Sequence, residues 1–139
     1  MTTPNIVNVS TINGNTAYVT PATTATSVSW TYNGTTALTG LTPSTNQLFK
    51  IDSIVATNTT TNAATVSVAI SDNPTFASGT PHYVAYQISV PANASLIITD
   101  KTTGFYVSEN QSVGVTVGTA SAINFVAVFE AISLSLIHI

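Results

Sequence analysis

Residues 47–70 read Gln47-Leu-Phe-Lys-Ile-Asp-Ser-Ile-Val-Ala-Thr-Asn58, then Thr-Thr-Thr-Asn62, then Ala-Ala-Thr-Val-Ser-Val-Ala-Ile70. In the first run Phe49, Ile51 and Val55 share one side, while Lys50 and Asp52 take the other. In the second, Ala64, Val66, Val68 and Ile70 alternate with Thr65, Ser67 and Ala69. A pleated strand separates its two faces at this period, so each run is a strand with one face turned to a core. The polar stretch from Asn58 to Asn62 then predicts a hairpin between them.

The same signal extends in both directions. From Thr26 to Tyr32, the residues Val28, Trp30 and Tyr32 fall in phase, and Asn33-Gly34 follows as a turn dipeptide that tolerates positive φ. Asp72-Asn73-Pro74 ends the run that closes at Ile70, because proline lacks the ladder proton. His82, Val84, Tyr86, Ile88 and Val90 form the next apolar face, stopped by Pro91-Ala92-Asn93. Short strands are predicted at 95–99, 105–108 and 113–117. The run Ile123–Ile132 is apolar on both faces, which suits a strand in the middle of a sheet or at a subunit contact. Eight or nine short strands at this spacing predict an all-β fold, an antiparallel β-sandwich that is jelly-roll-like. Its core is expected to hold Phe49, Ile51, Val55, Val66, Val68, Val84, Ile88, Val115, Phe125 and Phe129. No composition break divides the chain. It reads as a single domain over 1–133, with residues 1–25 as a weakly patterned N-terminal arm or an edge strand packed on a neighbour.

Composition excludes several functions. Only seven residues are charged (Lys50, Lys101, Asp52, Asp72, Asp100, Glu109 and Glu130), and 26 Thr with 15 Ser supply surface polarity instead. Two lysines and no arginine cannot neutralise a row of phosphates, so no nucleic acid is expected as partner. Without cysteine there is no disulfide, thiolate metal site or thiol nucleophile. No apolar run reaches the ~18 residues of a helical membrane span, so no membrane partner is expected. The start, Met1-Thr-Thr-Pro-Asn-Ile-Val-Asn-Val-Ser10, has neither the basic nor the apolar region of a secretory signal. Synthesis and assembly inside a host cell, with release by lysis, fit that start. At the other end, Leu134-Ser-Leu-Ile-His-Ile139 resembles the in-frame translation of a sequencing adaptor, so 134–139 is read as a scar and His138 carries no function.

Candidate chemistry is sparse. His82 is the one histidine of the remaining chain and has no acid or nucleophile beside it in sequence, which predicts a structural role and no enzyme activity. The five carboxylates are too widely spaced for a metal loop, so neither metal nor cofactor is expected. Trp30, Tyr32 and Tyr106 offer flat faces for a glycan, although Trp30 is in phase with Val28 and so reads also as core. The Asn-x-Ser/Thr triplets at Asn8, Asn33, Asn58, Asn93 and Asn110 arise readily in so hydroxyl-rich a chain. The second face of the last strand, Val126, Val128 and Ile132, needs a partner once the first face is covered by the other sheet. A further copy of the chain is the simplest one, most simply about a threefold axis.

Longer wording carries more than composition. Leu48 to Asn58 leads into Asn62-Ala-Ala-Thr-Val-Ser-Val-Ala-Ile70. Later come Ile88-Ser-Val-Pro-Ala-Asn-Ala-Ser-Leu-Ile-Ile-Thr-Asp-Lys101 and Phe105-Tyr-Val-Ser-Glu-Asn-Gln-Ser-Val113, then the strand closing at Ser133. The start, Asn5-Ile-Val-Asn-Val-Ser-Thr-Ile-Asn-Gly-Asn-Thr-Ala17, has the same character. Over nearly the whole chain to Ser133 this resembles the small virion structural proteins of marine tailed phages, especially those infecting cyanobacteria. The resemblance implies a compact β-sandwich in many copies on the particle, decorating the capsid or belonging to neck, tail or fibre. It also implies other virion proteins as partners and assembly in the host cytoplasm, and it brings no active-site residues. The competing class is a glycan-binding or adhesin module, at a fibre tip or on a cell surface.

Overall fold

The computed structural model describes residues 9–36 and 40–134. Its strands are β1 (Val9–Val19), β2 (Thr31–Tyr32), β3 (Thr35–Thr36), β4 (Gln47–Asn58), β5 (Ala64–Ser71), β6 (Pro81–Val90), β7 (Ser95–Thr99), β8 (Phe105–Val107), β9 (Ser112–Val117) and β10 (Ile123–Leu134). They form two antiparallel sheets. The larger runs β3-β2-β1-β10-β4-β7, with β8 also on β4, and the smaller runs β6-β5-β9. Two isolated bridges, Ser27 to Val115 and Leu41 to Val113, extend the smaller sheet beyond β9. The architecture is the expected β-sandwich. β10, apolar on both faces, sits between β1 and β4 in the middle of the larger sheet.

Four expectations are corrected. First, residues 9–19 are no arm: β1 pairs with β10 from Val9–Leu134 to Val19–Phe125. Residues 1–8 of the predicted arm and 135–139 of the predicted scar lie outside the described residues. Leu134 itself is a buried strand residue whose amide donates to the Asn46 carbonyl (3.0 Å). Second, 58–62 is not a hairpin turn. β4 and β5 belong to different sheets, so the chain arches from one to the other and the two strands face each other across the core. Alternation reveals the faces of a strand and not its partner. Third, Thr26–Tyr32 is not one strand: Ser27 bridges to the smaller sheet and Thr31 pairs with Tyr18 in the larger. The segment thus turns the corner between sheets. The Asn33-Gly34 turn is as expected, with φ of 52° and 71°.

The fourth correction concerns phase. Phe49, Ile51, Val66, Val68, Val115, Phe125 and Phe129 are buried, but Val55 is only half-buried and Val84 and Ile88 are exposed. β-Bulges account for this, since one extra residue flips every later side chain to the other face. On β4, Ile51 pairs with Phe129 but Ser53 with Val128, so Asp52 is the extra residue and Ile54 and Ala56 turn inward in place of Val55. β6 slips twice against β5, so Ala85 is buried between the slips and Val90 at the strand's end. Ser67 anchors one slip, its hydroxyl accepting the amide proton of Gln87 (2.8 Å), which holds φ 48°.

The outer side of the smaller sheet is closed by the β5–β6 loop. Ser71 donates its hydroxyl proton to the Phe76 carbonyl (3.0 Å), and Ser112 donates to the Asn73 carbonyl (2.7 Å). The Phe76 ring then lies on Gly114 of β9, where a Cβ would come within 2.9 Å of it. Gly114→Ala must therefore displace the ring, and such overpacking is expected to cost ~1–3 kcal/mol. A melting curve for the variant checks this, and an unchanged midpoint would mean that Phe76 does not close on β9.

Candidate functional site

Register places side chains in rows across the outer face of the larger sheet. Tyr18 stands opposite Val126, Val126 opposite Val55, and Val55 opposite Ile97. This apolar row crosses four strands, yet Tyr18 is 57% exposed, Val126 39% and Ile97 64%. Val128, one step along β10, is 40% exposed. A hydroxyl and amide row borders it on one side, where Thr20 donates to Asn124 (2.7 Å) and the Thr57 and Ser95 hydroxyls bond (2.8 Å). Beyond Val128, Lys50 lies 3.8 Å from Glu130 and 4.0 Å from Asp52, an exposed arrangement of the kind worth little as stability.

The predicted self-association residues divide. Val126 and Val128 are open to solvent, while Ile132 is buried and forms a second, smaller apolar cluster with Leu48 and Leu134. Ile132 is thus corrected from a free contact to a packed one. Tyr18 and Ile97 take its place in the exposed row. Cross-strand register selects them, and a single strand's pattern does not carry that information.

The three predicted glycan contacts are not brought together. Trp30 is fully buried, its indole N–H donating to the Val113 carbonyl (3.0 Å), so it is core and offers no stacking face. Tyr106 is exposed opposite Lys50, on the outer face. Tyr32 is on the inner side, edge-on to Phe129 (5.5 Å between ring centres) and Phe49 (6.4 Å). Burial raises the pKa of its phenol, which holds the hydroxyl as a proton donor.

Tyr32 has different company. A cleft of about 440 Å³ is lined by Asn13, Asn15, Tyr32, Asn33, Ser44 and Gln47, with Phe49 and Ala131 below. Asn13 and Asn15 stand opposite Ala131 and Phe129, in phase with the buried Ala17 and Val19. The inner face of β1 therefore turns from apolar to amide where it passes beyond the smaller sheet, which contributes no lining residue. Asn33 donates its amide proton to the Asn15 side-chain oxygen (2.8 Å), and Asn15 donates to the Asn13 carbonyl (3.2 Å). Asn at inward register positions was the available signal, obscured by reading those residues as an arm.

His82 is exposed on β6, opposite Ile70, not on an apolar face. Among the described residues no group of three or more His, Asp or Glu is placed to hold a metal ion. No helix among them is long and apolar enough to cross a membrane. Comparison with known proteins gives no match: no family model, no curated protein and no solved structure aligns with this chain.

Proposed function

We propose that this chain is a non-enzymatic virion structural protein of a tailed phage, a many-copy subunit that decorates the capsid or belongs to the neck or tail and assembles with copies of itself. The observation that carries this reading is the row Tyr18–Val126–Val55–Ile97, an apolar stripe across the outer sheet face on which Tyr18, Val126 and Ile97 are exposed and over which no described strand is laid. Contiguous exposed apolar surface marks interaction sites. Burying side chains of this kind contributes ~1.5–3 kcal/mol each before the costs of association. The near absence of charge lets identical copies approach without strong repulsion.

The winding supports a jelly-roll reading. One sheet runs β1-β10-β4-β7, and the other runs from the Ser27 and Leu41 bridges through β9 and β5 to β6. Taken in chain order, the chain crosses between sheets repeatedly and stays within one sheet at β2–β3, β5–β6 and β7–β8, a winding compatible with the two Greek keys of the architecture used by viral capsid and lectin domains. The virion assignment itself rests on the sequence resemblance, with other virion proteins as partners and assembly in the host cytoplasm.

Light scattering on the full chain at tens of micromolar tests the assembly. The expected result is a discrete oligomer, most simply of three copies, that falls to a single chain when Val126→Ser and Val128→Ser are combined. A monomer throughout overturns it. Flanking head, neck or tail genes on the parent genome would support the virion assignment, and an unrelated neighbourhood would remove it.

A further inference from the structure

We propose that the cleft bounded by Asn13, Asn15, Asn33, Gln47 and Tyr32 binds a neutral saccharide. The lining decides the ligand class. Among the described residues no charged side chain lines it, so an anion or cation would lose hydration there without gaining a counter-charge. An apolar ligand would leave the amides unpaired. A sugar hydroxyl both donates and accepts, and so does a carboxamide, which matches adjacent ring hydroxyls in pairs.

The hydrogen bonds within the cleft organise it without exhausting it. Asn33 is fixed by its turn, at φ 52°, and its bond to Asn15 holds both side chains in place. The Asn13 carboxamide, the Asn33 side-chain oxygen and the Tyr32 hydroxyl have no bond to the described protein atoms and face the ligand's hydroxyls. The half-buried Tyr32 supplies the aromatic part of the lining, against which the C–H face of a pyranose packs, with the buried Phe49 ring beneath it. The volume of about 440 Å³ falls within the ~300–1,000 Å³ of small-molecule sites.

The cleft lies on the inner face of the larger sheet and the apolar row on its outer face. Assembly through the row therefore leaves the cleft open, and this inference stands independently of the proposed assembly.

The test is an NMR titration of the full chain with cellobiose, maltose, lactose and chitobiose, following the side-chain amide protons of Asn13, Asn15, Asn33 and Gln47. The expected result is a saturable shift of these protons with at least one neutral disaccharide, and none with a uronate-containing one. Asn13→Ala removes an exposed carboxamide, and Asn33→Gly keeps the turn because glycine takes positive φ freely. Each is expected to weaken binding about tenfold or more, close to the loss of one well-made hydrogen bond. Val126→Ser, on the opposite face, is expected to leave binding unchanged. No saturable shift with any of the four neutral sugars, or a shift undiminished by both cleft variants, overturns the proposal.

Discussion

Replacing Phe125 by alanine is expected to cost ~3–5 kcal/mol of folding stability, the range for an enclosed phenylalanine. Its side chain is fully buried in the main core, on the central strand of the larger sheet, between Val19 of β1 and Ala56 of β4. Both flanking strands are hydrogen-bonded to β10 along nearly its whole length, so the backbone cannot close on the cavity that truncation leaves. Residual cavity volume is what moves such a substitution to the upper end of its range. Set against the 5–15 kcal/mol typical of a whole domain, about 4 kcal/mol removes a large share of the stability. Urea unfolding checks this as a lowered midpoint at constant slope. Asn124→Ala, one residue away on the outer face, is the control, expected to cost no more than about 1 kcal/mol for its single exposed hydrogen bond to Thr20. Equal losses in the two variants would mean that the phase of β10 is the reverse of that described.

That phase was legible in the sequence because β10 carries its two large aromatic residues, Phe125 and Phe129, on one face, and both are inward, as predicted. β6 misled because two bulges reset its alternation. One is marked by a positive φ at Gln87, where no glycine or asparagine signals it. β4 misled for the same reason at Asp52. Periodicity also left pairing open, which is why the β4–β5 arch reads as a hairpin although its strands belong to opposite sheets. The candidate surfaces divide in the same way. Val126 and Val128 are visible within one strand, while Tyr18 and Ile97 join them only through cross-strand register. The amide cleft needs three segments distant in sequence to meet, and its strongest clue, Asn13 and Asn15 in phase with Ala17 and Val19, lay in a stretch whose pairing with β10 no local pattern announces.

Asn58, where the chain leaves the larger sheet for the smaller, is the polar residue on which the arch depends. Its side chain is buried at 1% exposure. The amide nitrogen donates to the carbonyls of Val90 (3.0 Å) and Asn62 (2.8 Å), while the amide oxygen accepts from the backbone N–H (2.9 Å) and hydroxyl (2.7 Å) of Thr60. The Asn93 amide in turn donates to the Thr60 carbonyl (3.1 Å), which ties the arch to the β6–β7 turn. Asn58→Ala removes four hydrogen bonds at a buried position. At about 1 kcal/mol for each bond, part of it recovered by water at the exposed Asn62 end, the expected loss is about 3 kcal/mol. Asn58→Asp separates the roles of the two amide atoms. The carboxylate keeps the acceptor for Thr60 but turns both donated bonds into oxygen–oxygen repulsion and buries a charge. Desolvation and repulsion raise the folded-state pKa of the new carboxyl above its unfolded value. Whatever stability this variant retains is therefore greatest in acid, where a protonated oxygen regains one donor, and falls as pH rises through the folded pKa. Melting curves across that interval are expected to show the variant recovering towards the wild type in acid and dropping below Asn58→Ala near neutrality. A variant as stable as the wild type at neutral pH would mean that the nitrogen of Asn58 does not point at Val90, and that the arch is held by the Thr60 contacts alone.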